Sequence, residues 1–145
     1  MLITGAGGMV RVKATDYFCE EYAVTALTRT TLFITDHEAL KQIFRPVKPA
    51  IVLNCVVVRN GRCSQNEQFA RQVNTESVRK LALQCRKCDV VLVQLSTDYV
   101  VEGKTGGNCV EEAIPSPVSQ YGCTKRAGDL FALEENKKTF VIRTA

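Results

Sequence analysis

A phenol and an amine stand four residues apart in YGCTK, Tyr121 to Lys125. On a helix, positions i and i+4 share one face. A phenol titrates near pH ~10, too high for easy proton exchange at neutral pH. A nearby ammonium favours the phenolate and lowers that value. Such a pair can serve as a proton donor and the charge that tunes it. Gly128 and Ala132 continue the stripe, small enough to let the helix lie close to a sheet or a ligand. Upstream, LSTDYV ends an apolar run and gathers Ser96, Thr97, Asp98 and Tyr99 at one place. A hydroxyl from Thr97 can polarise a carbonyl, Tyr121 can protonate it, and a bound hydride donor can complete its reduction to an alcohol. The lysine can also hold the ribose of a nicotinamide.

A hydride donor needs a cradle. TGAGGMVR, Thr4 to Arg11, follows the first apolar run. Gly5 can take a tight turn, and Gly8 can let a pyrophosphate approach backbone N–H groups at a helix N-terminus. The third position of this G-x-x-G-x-x-R pattern is Arg11, where a glycine normally permits close helix–strand packing. The second strand ends Leu27-Thr28-Arg29. A cation there favours a 2′-phosphate over a bare ribose, so the expectation is NADPH ahead of NADH.

The elements that must position these groups follow from the hydrophobic pattern. Apolar runs fall at Leu2-Ile3, at residues 23–29, 50–58 and 90–96, and at 140–144. They are continuous rather than alternating, as in strands covered on both faces. Helical patterns lie between them at about 9–21, at 36–44 with an Asp cap and Pro46 beyond, at 66–87 and at 118–135. Strand and helix in alternation predict a doubly wound parallel α/β sheet, a Rossmann fold of three α/β/α layers. The one long irregular stretch, Tyr99 to Pro117, leaves a strand end where active-site loops of such folds sit.

TGAGG, ALTR with LFITD, IVLNC, Val73-Asn74, STDYV and PSPVSQYGCTKRAGD together resemble the extended short-chain dehydrogenase/reductase family. Within it they are similar to the dTDP-4-dehydrorhamnose reductases. The resemblance runs in order along nearly the whole chain. It implies Thr97, Tyr121 and Lys125 as the catalytic trio. It implies Gly5, Gly8, Met9 and Val10 as the pyrophosphate loop and Asn74 as a brace of the cofactor pocket. It also implies reduction of the 4-keto group of a dTDP-deoxy sugar, dTDP-4-dehydrorhamnose to dTDP-L-rhamnose, with NADPH or NADH. Three positions depart from the family pattern: Arg11, Phe33 in place of an acidic residue, and Val56-Val57 in place of small residues beside the cofactor. Residues 1–145 are expected to form the NAD(P)-binding domain, without the C-terminal region that holds the sugar nucleotide. A non-catalytic dinucleotide-binding or regulatory module, akin to the regulatory subunit of methionine adenosyltransferase, is the alternative, and a degenerate chain that binds nothing is a third.

Composition narrows the classes. The chain has 145 residues, 46% hydrophobic, with a net charge of +4. That suffices for one domain with a real core. The basic residues are scattered, which argues against nucleic-acid binding. No apolar run approaches the ~20 residues of a membrane span, and glycine by the fifth residue argues against a signal peptide. Seven cysteines without framework spacing are read as reduced thiols of a cytoplasmic protein. Cys85 and Cys88 form a single CxxC, without the second pair a structural zinc site requires. Glu102-Gly103-Lys104-Thr105 lacks the upstream glycine of a P-loop, and the single histidine, His37, falls in a helix cap region and reads as a surface residue, not as the base of a hydrolase triad. A homodimer is left open.

Overall fold

A computed structural model describes residues 1–5, 9–101 and 113–144, with 9–12 described by backbone alone. Five strands form one parallel sheet: β1 (Leu2–Thr4), β2 (Thr25–Ala26), β3 (Ile51–Asn54), β4 (Val91–Leu95) and β5 (Thr139–Ile142). The order is β2-β1-β3-β4-β5, every neighbouring pair parallel. The chain reverses direction between β1 and β3, which places a ligand crevice outside their carboxyl ends.

The helices are α1 (Met9–Phe18), α2 (His37–Val47), α3 (Asn60–Cys63), α4 (Glu67–Arg71), α5 (Ser77–Lys87) and α6 (Gln120–Glu135). Helix α5 packs against both α2 and α6, so these three share one face of the sheet. Right-handed crossovers, running the opposite way between β1 and β2, put α1 on the other. Leu2, Val52 and Leu92 are register partners on β1, β3 and β4, and all three are fully buried. Leu40, Val78, Leu81 and Cys85 close the core from the helices.

Two predicted elements end differently. Helix α2 begins as expected, with Asp36 Oδ1 accepting from the Ala39 N–H at 3.0 Å. It runs past Phe44, however, and takes Pro46 into its last turn. The left-handed Lys48 (φ 42°) then closes it by donating its N–H to the Phe44 carbonyl. A proline in the last turn costs less than one in a helix interior, and the αL cap satisfies the carbonyl end. The predicted helix over 66–87 is interrupted by a π-helical turn, Gln72–Glu76. Asn74 lies at its centre, fully buried. Helix α3 was not foreseen; it forms where residues 55–58 leave the sheet, which the apolar run had suggested they would extend.

Candidate active site

Thr4, Asn54 and Gln94 are also register partners, one layer nearer the carboxyl ends than the apolar trio. Each interrupts an apolar strand, and each is buried. The Thr4 hydroxyl donates to Asn54 Oδ1 at 2.6 Å, and Asn54 Nδ2 donates to Gln94 Oε1 at 2.7 Å. Gln94 Nε2 donates to the Leu95 carbonyl at 2.9 Å. The Val56 N–H also reaches Asn54 Oδ1, at 3.2 Å. This ladder satisfies buried polar groups that would otherwise cost about 1–3 kcal/mol each, and it fixes the strand tips on which the site stands.

Lys125 comes to the same place from α6. Its Nζ donates to the Leu95 carbonyl at 2.6 Å, and the residue is only 3% exposed. Burial pulls the ammonium pKa down, with Asp129 and Cys55 pulling it back up. Asp129 lies one turn further along the same face. Its Oδ2 accepts from the Ser96 hydroxyl, and its Oδ1 is buried without a partner. Burial holds that carboxyl above its ordinary range, against the opposing effects of Ser96 and Lys125. The Cys55 thiol, at the exit of β3, is pushed up to about 11 by burial.

Tyr121 is half-buried at the first turn of α6, whose N-cap Ser119 accepts from the Gly122 N–H at 3.0 Å. Its ring packs edge-on against Tyr99 with centroids 5.5 Å apart. Burial raises the phenol pKa, while the nearby Thr97 side chain and the Arg59 charge pull it down. The net direction is upward, so the phenol keeps its proton at neutral pH. Thr97 is buried at the end of β4, with its hydroxyl donating to Asp98 Oδ1 at 3.0 Å and accepting from the Tyr99 N–H at 3.3 Å. Thr97 and Tyr121 are therefore brought together. Lys125 shares their helix face and sheet end, but its bond goes to the Leu95 carbonyl. The expected lowering of the phenol by Lys125 gives way to net elevation, because burial is the largest influence.

Asn74 joins these parts. It accepts from the Val58 N–H at 2.8 Å and donates to the Val58 carbonyl at 3.0 Å. It also donates to the Thr124 hydroxyl at 3.1 Å, which in turn donates to the Tyr121 carbonyl at 2.9 Å. Gly128 lets α6 approach this turn: a Cβ there would lie 2.1 Å from the Asn74 carbonyl oxygen.

A cavity of about 830 Å³ is bordered by Gly5, Arg29, Phe33, Val56, Val57 and Arg59 among others, with Thr97, Tyr121 and Lys125 outside its lining. It lies at the carboxyl ends of β1, β2 and β3. Gly5 has φ +79°, and a Cβ on it would come within 2.5 Å of the Cys55 carbonyl carbon and the Val56 nitrogen. The turn therefore requires glycine, and α1 opens just beyond it at Met9 and Val10. The Arg29 guanidinium lies 5.9 Å from the Phe33 ring centroid and 6.0 Å from that of Phe69. Arg62 joins Arg29 and Arg59 in the lining, and no described lining residue is acidic. A glycine turn at a helix start and a cation-rich apolar cavity at the switch point fit a dinucleotide. Gly8 and the Glu102–Thr105 segment lie outside the described residues, as do the side chains of Met9, Val10 and Arg11.

Of the residues the sequence singles out, Gly5 and Arg29 border the cavity, Asn74 is buried in the π-helical turn, and Thr97, Tyr121 and Lys125 gather at the end of β4 and on α6. The sequence reading did not single out Thr124, Asp129 or the Thr4–Asn54–Gln94 ladder. Asp129 was readable as the third member of an i, i+4, i+8 stripe with Tyr121 and Lys125. The ladder had a signal too, one polar residue near the end of each central apolar run.

The family described as the RmlD substrate binding domain matches residues 1–145. A dTDP-4-dehydrorhamnose reductase of Streptomyces griseus is 41% identical over 147 residues, covering 99% of this chain and 48% of its own length. A dTDP-4-keto-6-deoxy-D-glucose reductase of Streptomyces niveus is 36% identical over 135 residues, covering 92% of this chain and 47% of its own. Among solved structures, the dTDP-4-dehydrorhamnose reductase of Bacillus anthracis in complex with NADP matches with a TM-score of 0.92 at 28% identity, covering 98% of this chain and 51% of that one. This chain thus spans about half the length of the curated relatives it matches. Sequence, strand order and site geometry agree: the chain belongs to the RmlD substrate binding domain family.

Proposed function

We propose that this chain forms the cofactor-binding and catalytic half of a reductase that converts the 4-keto group of a dTDP-deoxy sugar to an alcohol, dTDP-4-dehydrorhamnose to dTDP-L-rhamnose, with NADPH. The observation that carries this reading is the meeting of Thr97 and Tyr121 at the sheet end that also carries a cation-rich cavity built on Gly5. NADPH, when bound, supplies a hydride. Gly5 and the start of α1 would hold its pyrophosphate, and Arg29 its 2′-phosphate. Thr97 would hydrogen-bond the substrate carbonyl oxygen, and the protonated Tyr121 would donate its phenolic proton to that oxygen. Having given its proton to the carbonyl oxygen, Tyr121 would be left as a phenolate until solvent restores its proton. Lys125 would stay fixed under the strand tips by its bond to the Leu95 carbonyl. The sugar nucleotide would be held in part by the half of the relatives that this chain does not span.

Six described cysteines are free, and no helix among the described residues is long and apolar enough to cross a membrane. A reducing cytoplasm suits those thiols. The Cys85 thiol is pushed up to about 12 by burial, which makes it a core residue rather than a reactive one.

The test is NADPH consumption in the presence of the dTDP-4-keto-6-deoxy sugar, with the alcohol product identified by mass, for wild type and Tyr121→Phe. Turnover that Tyr121→Phe lowers by two or more orders of magnitude, with NADPH affinity kept, supports the reading. Binding of NADPH without turnover would mean either a non-catalytic dinucleotide module or a need for the half of the relatives that this chain does not span. Equal turnover by the two proteins would remove Tyr121 as proton donor.

A further inference from the structure

We propose that Phe33 and Phe69 are positioning residues for the choice between NADPH and NADH: their two rings hold the Arg29 guanidinium ready for a 2′-phosphate. The role rests on the reading of the cavity as a dinucleotide site. Three observations carry it. The Arg29 guanidinium carbon lies 5.9 Å from the centroid of the Phe33 ring and 6.0 Å from that of Phe69, within the ~6 Å over which an aromatic face attracts a cation. All three side chains border the same cavity. Among the described residues no carboxylate pairs with Arg29, and the other two arginines of the lining, Arg59 and Arg62, lie over no ring.

The backbone that carries these side chains is held. The Thr28 carbonyl accepts from the Thr31 and Leu32 N–H groups at 3.1 and 2.9 Å, and the Thr31 hydroxyl accepts from the Thr28 N–H at 2.8 Å. That turn carries Arg29 out of β2. The Phe33 carbonyl accepts from the Asp36 N–H at 2.8 Å where the chain enters α2. Phe69 comes from α4, whose cap Asn66 accepts from the Phe69 N–H at 2.9 Å, and its ring packs against the core. Phe33 is 60% exposed, so it has little part in the core and its ring is left for Arg29. A ring attracts a cation through its π face and uses none of the guanidinium N–H donors. A carboxylate in the same place would take them. The planar fork is thus left for the bidentate pairing that a phosphate accepts. An arginine already held also loses less freedom when the phosphate arrives. NADPH and NADH differ only in that phosphate, so the rings should act on one and not on the other.

The experiment titrates NADPH and NADH into wild type, Phe33→Leu, Phe33→Trp and Phe69→Leu, followed by nicotinamide fluorescence. Leucine keeps an apolar side chain and removes the ring. Phe33→Leu is expected to weaken NADPH binding roughly two- to fivefold, the worth of one exposed cation–π contact, and to leave NADH binding unchanged. Phe69→Leu should act in the same direction, and Phe33→Trp, which keeps an aromatic face, should keep the wild-type preference. In an Arg29→Gln background, Phe33→Leu should change neither affinity. An equal loss for both nucleotides in Phe33→Leu overturns the proposal and leaves the dinucleotide reading standing, since the ring would then meet the part that the two share. Unchanged affinity for both, or an NADPH loss that persists in the Arg29→Gln background, overturns it too. Absence of binding by either nucleotide to wild type removes the dinucleotide reading itself, and the proposal with it.

Discussion

Gly128→Ala probes the closest approach in the site. In an unconstrained helix interior the change would stabilise by about 1 kcal/mol. Here the new Cβ would stand 2.1 Å from the Asn74 carbonyl oxygen and 3.2 Å from its carbon. Ordinary contact begins near 3.4 Å, so helix α6 or the π-helical turn must move by about 1.3 Å. The obstacle is backbone, with no flexible end to swing aside. Overpacking of this kind costs about 1–3 kcal/mol, and more against a rigid wall. With the upper end of that range, about 3 kcal/mol, against backbone, and the propensity gain subtracted, the net loss should be about 2 kcal/mol. The same displacement stretches the Asn74–Thr124 bond of 3.1 Å and the bond of 2.8 Å from the Thr75 hydroxyl to the Thr124 carbonyl. It also carries Tyr121 off its position, and a misplacement near 1 Å costs on the order of 10²-fold in rate. Gly61→Ala is the matched control, since nothing lies within 4 Å of its Cβ position; it should be neutral or stabilising by up to about 1 kcal/mol. Urea unfolding of the two variants gives the comparison. If Gly128→Ala proved as stable as Gly61→Ala, the close contact between α6 and Asn74 would be refuted.

Asp129→Asn should raise the melting temperature at pH 7. Burial holds that carboxyl above its ordinary value of 3.8, so the fold binds the proton more tightly than the unfolded chain. Stability from this group is present at low pH and is lost as pH rises from 3.8 through the folded value. The advantage of asparagine should therefore fade as the melts are taken below pH 4, and a pH-independent loss would contradict this. Asn74→Ala should cost about 1–3 kcal/mol in urea unfolding by leaving the buried Val58 N–H unpaired, the Val58 carbonyl keeping its bond from the Cys63 thiol; an unchanged midpoint would show that the brace is dispensable.

The fold was readable because its central strands are nearly continuous apolar runs: 50–58 and 90–96 announce β3 and β4 by composition alone. Their ends were not readable, since apolar content does not mark where pairing stops. Residues 55–58 are as β-prone as 51–54, yet Asn74 captures the Val58 backbone and turns the chain into α3. A π-helical turn has no compositional signature, so the 66–87 pattern reads as one helix. Thr97, Tyr121 and Lys125 stood out as candidates through their spacing and the small residues that follow. What Lys125 bonds to was not legible, because the Leu95 carbonyl is a backbone group thirty positions away.

The central claim, that the ends of β1, β2 and β3 form a dinucleotide site beside Tyr121, is tested most directly by titrating NADPH and NADH into wild type and Arg29→Gln and following nicotinamide fluorescence. Arg29 is exposed at the cavity, so its replacement should leave the fold intact. The account predicts saturable binding, NADPH tighter than NADH, and a loss of roughly tenfold or more for NADPH alone in Arg29→Gln, the worth of one charge-assisted hydrogen bond. Absence of binding by either nucleotide, or an equal loss for both in the variant, would contradict it.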